Sequence, residues 1–405
     1  MDRMEQLEKN FSRIFWIRAL MNVKVINVVM SLFYLHRGLQ LEEIFYLAII
    51  WSATNIIFEI PSSFLADKWG RKKTIAMGVI AGLFYWIFFL LAHSFLMFAI
   101  GIMWYAFSIA MLSGTQEALM YDSARELGKE NESLKKLGNF HSAMSIFKIF
   151  TPLLAVFIAA QLTEMQLVSL ISIDIVATLV ALFFTLRLTE ANHYVDVEEI
   201  ESGVLYDAWT LLTKNKMLLR GIISRVGIFI SFLVTWHYYQ VFFTDIGLPL
   251  IILGVGWSVN HIMIFFVHKY IGSIIHPRHV SIGIDIINII YTAILLLFVI
   301  LWVVFPNPYV LYFLFITNSS IQSWRRPLFS EFFNKQSKSY NRATTLSLSN
   351  FMKSLLDIPI VFLAAFLIKS NVMFPYVLSL VIALVVITFF RLHTQKTVPP
   401  ISKHT

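Results

Sequence analysis

Apolar stretches of twenty or so residues follow one another along almost the whole chain, separated by short polar breaks. A stretch of that length, coiled at about 1.5 Å rise per residue, spans the roughly 30 Å of hydrocarbon in a bilayer. Each backbone amide in lipid must be satisfied inside its own segment, so runs of this kind fold as helices. About twelve can be placed by this measure, at 14–36, 41–64, 74–93, 95–120, 138–161, 165–187, 217–243, 247–270, 279–305, 308–332, 343–368 and 372–391. The expected fold class is therefore an all-α membrane protein. With 58% hydrophobic and only 14% charged residues, a soluble domain of 405 residues would lack the polar surface to stay in solution.

Basic residues excluded from the apolar runs set the expected orientation. Lys68, Arg71, Lys72 and Lys73 fall in one short loop, Arg125, Lys129, Lys135 and Lys136 in another, then Lys214 and Lys216, then Lys335, Lys338 and Arg342. The alternate loops carry few cations, with Arg37 and Lys369 as exceptions. By the positive-inside rule the first set faces the cytoplasm, and both termini with it. The same rule accounts for the net charge of +8 without invoking nucleic acid, because the bases lie in loops and not along one solvated face. No short apolar stretch before a small-residue cleavage site precedes the first run, so no removable signal peptide is expected. Cysteine is absent, which excludes disulfides, thiolate metal sites and cysteine nucleophiles. Nor does any phosphate-binding loop, metal-ligand cluster or nucleophile constellation appear, so neither an enzyme nor a cofactor is expected.

The longest polar stretch, about 188–216, is too charged to insert and divides the chain. Expected domains are an N-terminal six-helix bundle at 1–190, a cytoplasmic linker at 191–216, a C-terminal six-helix bundle at 217–392 and a tail at 393–405. A shift of about 207 to 209 residues aligns the halves. It places Arg18 on Arg225, Gly38 on Gly247 and Pro152 on Pro359, as parallel internal repeats of a transporter would.

Between the second and third runs the chain reads Ser63-Phe64-Leu65-Ala66-Asp67-Lys68-Trp69-Gly70-Arg71-Lys72-Lys73. This resembles the signature loop of the major facilitator superfamily, with its Asp, second Gly and Arg in register and Ser63 where the family has a first Gly. The resemblance implies two six-helix bundles that rock about a central cavity, with Asp67, Gly70 and Arg71 forming a conformational latch with Asp122 at the end of the fourth helix. Glu117, in the run Gly114 to Asp122, and Phe58 to Pro61 give the chain the look of bacterial exporter-like members. Two departures weaken a drug/proton antiport reading. The fourth helix has no Arg before Arg125, and the fifth offers only Thr151-Pro152 in place of a Gly-Pro-Gly-Gly-like run.

An ionisable side chain at mid-bilayer costs at least about 2.5–3.5 kcal/mol on insertion scales, so each one inside a span is a functional candidate. Arg18, Glu59, Glu117, Asp174, Arg225, Asp285, Arg326 and Glu331 fall within spans, as do Lys24, Lys148, Lys353 and Asp357. Lys24 and Lys148 have no acid at pairing distance on their own helices and would make a positive centre for an anionic group. Lys353 and Asp357 are spaced to pair on one helix face. The expected substrate site comprises Lys24, Lys148, Tyr34, Gln116, Tyr239, His261, Asn288, Gln322 and Lys353, with no metal, and Glu59, Glu117 and Asp357 as carriers of a coupling proton. The expected function is alternating-access transport of a small organic solute across the inner membrane by a monomer, with proton-coupled export ahead of uptake of an anionic metabolite or metal chelate. A non-transporting receptor of the same build is the rival class.

Overall fold

The computed structural model describes residues 3–129, 147–192, 215–274, 279–336 and 342–392. Among them the helices run, in chain order, α1 Arg3–Leu20, a 3-10 segment Val25–Val29, α2 Met30–His36, α3 Leu41–Trp69, α4 Arg71–Leu91, α5 Phe95–Leu112, α6 Thr115–Glu126, α7 Thr151–Ile158 and α8 Glu164–Leu186. They continue as α9 Lys216–Trp236, α10 Tyr239–Asp245, α11 Leu250–Ile274, α12 Val280–Val304, α13 Pro308–Gln336, α14 Arg342–Ile368 and α15 Phe374–Phe389. Local chemistry sets several of the ends. A capping box of Gln40 and Glu43 opens α3, one of Thr163 and Gln166 opens α8, and the Ser94 hydroxyl accepts from the Met97 amide at the start of α5.

Eight described segments are long and apolar enough to cross a membrane, against the twelve expected. Part of the shortfall lies outside the described residues: positions 138–146, which begin the expected fifth span, and the side chains of α14 before Met352 other than Ser349. In α13 the polar residues Asn318, Ser319, Ser320, Gln322, Arg325 and Arg326 lower the hydropathy. The last helix, α15, has only 16 residues. Large apolar side chains stand on the outside of the helices, among them Phe157 at 80% exposure and Phe313 at 67%, as a lipid-facing surface requires.

Packing divides the chain into two compact units that do not follow chain order. The first comprises Met1–Val197, His237–Ile262 and Leu356–Val372, the second Glu198–Trp236, Met263–Leu355 and Met373–Thr405. In the first, α4 lies along α5 and α8, with α3 against α5 and α1 against α8. Glycines let α4 and α5 close together: a Cβ on Gly78 would stand 2.8 Å from the Leu112 side chain, and one on Gly101 2.9 Å from the Phe89 ring. In the second, α9 packs on α15 and α13, and α12 on α13 and α15.

The repeat expected from the sequence is visible in geometry. Helices α2 and α10 start 209 residues apart, at 30 and 239, and have the same length of 7 residues. Each ends in a turn where a glycine takes a positive φ, +88° at Gly38 and +87° at Gly247, and the next residue's amide returns to the helix. Leu39 N bonds Tyr34 O at 3.1 Å, and Leu248 N bonds Phe243 O at 2.9 Å. A residue with a Cβ is strained there, which is why glycine recurs.

Candidate functional site

Among the described residues, three of the expected spans are broken rather than continuous. The first stops at Leu20 and resumes at Val25, the fourth is interrupted at Ser113-Gly114 between α5 and α6, and the seventh between Trp236 and Tyr239. At the first break the Asn22 amide donates to Arg18 O at 2.8 Å, drawing on a carbonyl that the helix would otherwise use. Lys24 then adopts a left-handed conformation at φ +43°, which a residue with a Cβ reaches only at a cost. The two amides exposed by this unwinding, Val25 N and Ile26 N, donate to the two carboxylate oxygens of buried Asp174 at 2.8 and 3.3 Å. Asp174 is thus an N-terminal cap delivered from α8.

This arrangement aims Lys24 at a cavity inside the first unit, with room for about 200 Å³. Arg18, Asn22, Lys24, Tyr85, Tyr105 and Gln116 line it, together with apolar side chains from α4 and α5. The Lys24 ammonium donates to the Tyr105 hydroxyl at 2.6 Å and stands 4.6 Å from that ring's centre. Arg18 donates to the Gln116 side-chain oxygen at 3.2 Å, while the Gln116 amide nitrogen is buried without a partner. No carboxylate lines the cavity among the described residues. Glu117, one position beyond Gln116 and half-buried, lies near enough to Arg18 to act on its charge.

Gly70, at φ +94°, turns the chain from α3 into α4 and brings together the motif that resembles a latch. The guanidinium of Arg71 pairs with Asp122 on α6, Nε to Oδ2 at 2.5 Å, and the two side chains are 14% and 11% exposed. Glu190 completes the corner, its carboxylate accepting from the first two amides of α4. Beside it Arg3 holds Glu126 at 2.7 Å and donates to Glu190 O, and Asn10 bridges Ser123 and Thr189. The side chains of Asp67 and Glu59 lie outside the described residues.

The remaining expected site residues are dispersed. Tyr34 is buried in an aromatic cluster with Phe89 and Phe98. Tyr239 and His261 flank Trp257, and Lys148 lies near enough to His261 to act on it electrostatically, away from the Lys24 cavity. Asp357 accepts from Ser52 at 2.6 Å. In the second unit, Asn288 donates to Ser224 at 3.0 Å, and Gln322 and Lys353 line a separate cavity with Arg225, Arg325 and Arg326. Sequence reading passed over Glu190, because its cap depends on a tertiary contact, and over Arg325, whose adjacent position to Arg326 in an apolar run was its only signal.

Broken helices lining charged cavities in an all-helical, multi-pass chain define a membrane transporter. The chain belongs to the major facilitator superfamily: the family model described as Major Facilitator Superfamily matches residues 19–359. No curated protein matches the sequence. Among solved structures, a variant of the nucleoside transporter NupG superposes with a TM-score of 0.75 at 14% identity, covering 95% of this chain and 98% of that one. A bacterial homologue of the human lysosomal transporter Spinster gives 0.70 at 11%, covering 97% of each. The xylose transporter XylE from E. coli gives 0.67 at 12%, covering 98% of this chain and 97% of its own. At such identities the likeness is one of fold alone, and it is the family match that marks the chain as a transporter.

Proposed function

We propose that this protein is a proton-coupled transporter of a small organic anion, working by alternating access in the inner membrane as a monomer of twelve spans with both termini in the cytoplasm. The observation that carries the reading is the cavity of the first unit, where Arg18 and Lys24 meet a Tyr hydroxyl and a buried amide and no carboxylate among the described residues. Two cations in a low-dielectric enclosure favour a solute that brings negative charge. The aromatic faces of Tyr85 and Tyr105 suit an organic body attached to that charge.

Glu117 supplies the coupling. Ionised, it competes with the solute for Arg18; protonated, it leaves Arg18 free to bind the anion. Proton and anion therefore bind together and travel in the same direction. With an inward proton gradient that direction is uptake, the alternative reading of the sequence. Export, the first expectation, would require a proton to weaken anion binding, and Glu117 acts with the opposite sign.

The test is solute flux in vesicles holding the purified protein, with an imposed pH gradient and a panel of organic anions. An anion that accumulates inside when the outside is acidic, with accumulation lost in Glu117→Gln and affinity lost in Lys24→Gln, supports the reading. Accumulation in the opposite sense restores export. Flux confined to neutral solutes overturns the anion assignment.

A further inference from the structure

The cavity of the second unit is more strongly charged than that of the first, and transport of a singly charged anion leaves it unexplained. It has room for about 290 Å³ and is lined by Arg225, Arg325 and Arg326, by Lys353, and by the polar groups of Gln322 and Ser349. No carboxylate lines it among the described residues, and none of those residues lies within ion-pair distance of Arg225, Arg325 or Arg326. Such a concentration of like charge in a membrane-embedded protein is costly unless a ligand neutralises it.

The guanidinium of Arg325 is held in place by backbone, its Nη2 donating to Ser224 O at 2.7 Å and its face 4.9 Å from the centre of the Phe329 ring. Its side chain is nearly fully buried, at 2% exposure, and its Nε has no hydrogen-bond partner. Arg225 donates to the Ser349 hydroxyl at 3.1 Å, and the Lys353 ammonium stands 4.9 Å from the centre of the Phe229 ring. Arg326 is exposed.

We propose that this cavity binds the phosphoryl group of a phosphomonoester, which makes the transported solute an organic phosphate. The inference deepens the reading of the chain as an anion transporter and rests on it. The guanidinium groups of Arg225 and Arg326 suit the tetrahedral, multiply accepting oxygens of a phosphoryl group, to which arginine binds in a bidentate manner, while Arg325, whose two Nη atoms donate to Ser224 O and Arg225 O, offers its Nε, and the lysine adds a point charge. A dianion offsets more of the charge of the three guanidinium groups than a carboxylate does. Ser349 and Gln322 add neutral donors for the remaining oxygens.

Binding of inorganic phosphate and of acetate to the full-length protein in lipid nanodiscs, followed by calorimetry, tests the site. Phosphate should bind at least about tenfold more tightly than acetate, and Arg326→Gln and Lys353→Gln should each weaken phosphate by about tenfold or more, the value of one charge-assisted hydrogen bond. Independently of any variant, phosphate should protect Arg225 and Arg326 of the wild-type protein from modification by phenylglyoxal, read by mass spectrometry. Acetate binding as tight as phosphate, or phosphate binding unchanged in both Arg326→Gln and Lys353→Gln, overturns the phosphoryl site while leaving the anion transporter standing. Absence of binding by both anions, without protection, sinks both.

Discussion

The two carboxylate oxygens of Glu190 each accept one of the first amides of α4, Oε1 from Arg71 N and Oε2 from Lys72 N, both at 2.8 Å. A negative charge at a helix N-terminus satisfies otherwise orphaned donors and opposes the positive end of the helix dipole. The carboxylate also fills the space beside Gly70, where a Cβ would stand 3.1 Å from Oε2. Replacing Glu190 by Ala should cost about 1–2 kcal/mol, the usual range for losing an N-terminal cap. Thermal unfolding in detergent would read this as a lowered midpoint, and an unchanged midpoint would show that solvent replaces the cap. Gly70→Ala should be worse than Glu190→Ala, because it adds strain at φ +94° to the same crowding.

Arg71 and Asp122 are both largely enclosed, so breaking the pair from one side strands a buried charge. Arg71→Gln should therefore destabilise by about 3–5 kcal/mol, and adding Asp122→Asn should recover part of the loss. A double-mutant cycle on unfolding would measure that coupling. If the pair is also a latch in the transport cycle, flux should change in Arg71→Gln with solute affinity preserved. A double variant no more stable than Arg71→Gln alone would mean that Asp122 has other partners of equal weight.

Spans and turns were legible in the sequence because they rest on local physics: twenty apolar residues, a glycine after a short helix, a charged loop between them. The recurrence of Arg18 at Arg225 and Gly38 at Gly247 was legible for the same reason, and the identical turns at the two glycines give it structural content. What the sequence concealed was tertiary. Helical periodicity runs through Met21 to Lys24, and nothing there marks the unwinding, which exists because Asp174 arrives from a helix 150 residues away (24 to 174) to hold the freed amides. Lys24 and Lys148 share depth on paper, yet only Lys24 lines the cavity, since the side on which a side chain emerges is decided by packing.

That dependence makes Asp174 a sharp test of the cavity. Asp174→Ala strips the acceptor from two buried amides and should cost about 1.5–3 kcal/mol for each charge-assisted bond lost. Asp174→Asn keeps an acceptor and should cost less. Because the same cap fixes the backbone that presents Lys24, Asp174→Ala should also weaken anion binding, measured on the folded fraction by calorimetry. Full affinity in a folded Asp174→Ala variant would show that the break holds its shape unaided.

Helix α11 approaches α7 closely within the first unit, and Gly254 is the residue that permits it. A Cβ there would lie 2.7 Å from Pro152 O and 2.6 Å from a Val156 methyl, while Ser258 Oγ donates to Ile149 O at 2.7 Å one turn on. Gly254→Ala should force the helices apart at a cost of about 1–3 kcal/mol, whereas Ser258→Ala should cost only about 0.6 kcal/mol, the mean for an interhelical bond in a membrane. If alternating access parts these helices in every cycle, a covalent tie between them should stop transport. The natural chain has no cysteine, so Ile149→Cys with Ser258→Cys gives a clean pair. Oxidation should form the disulfide and arrest flux, and reduction should restore it; undiminished flux through the oxidised protein would place the moving contact elsewhere.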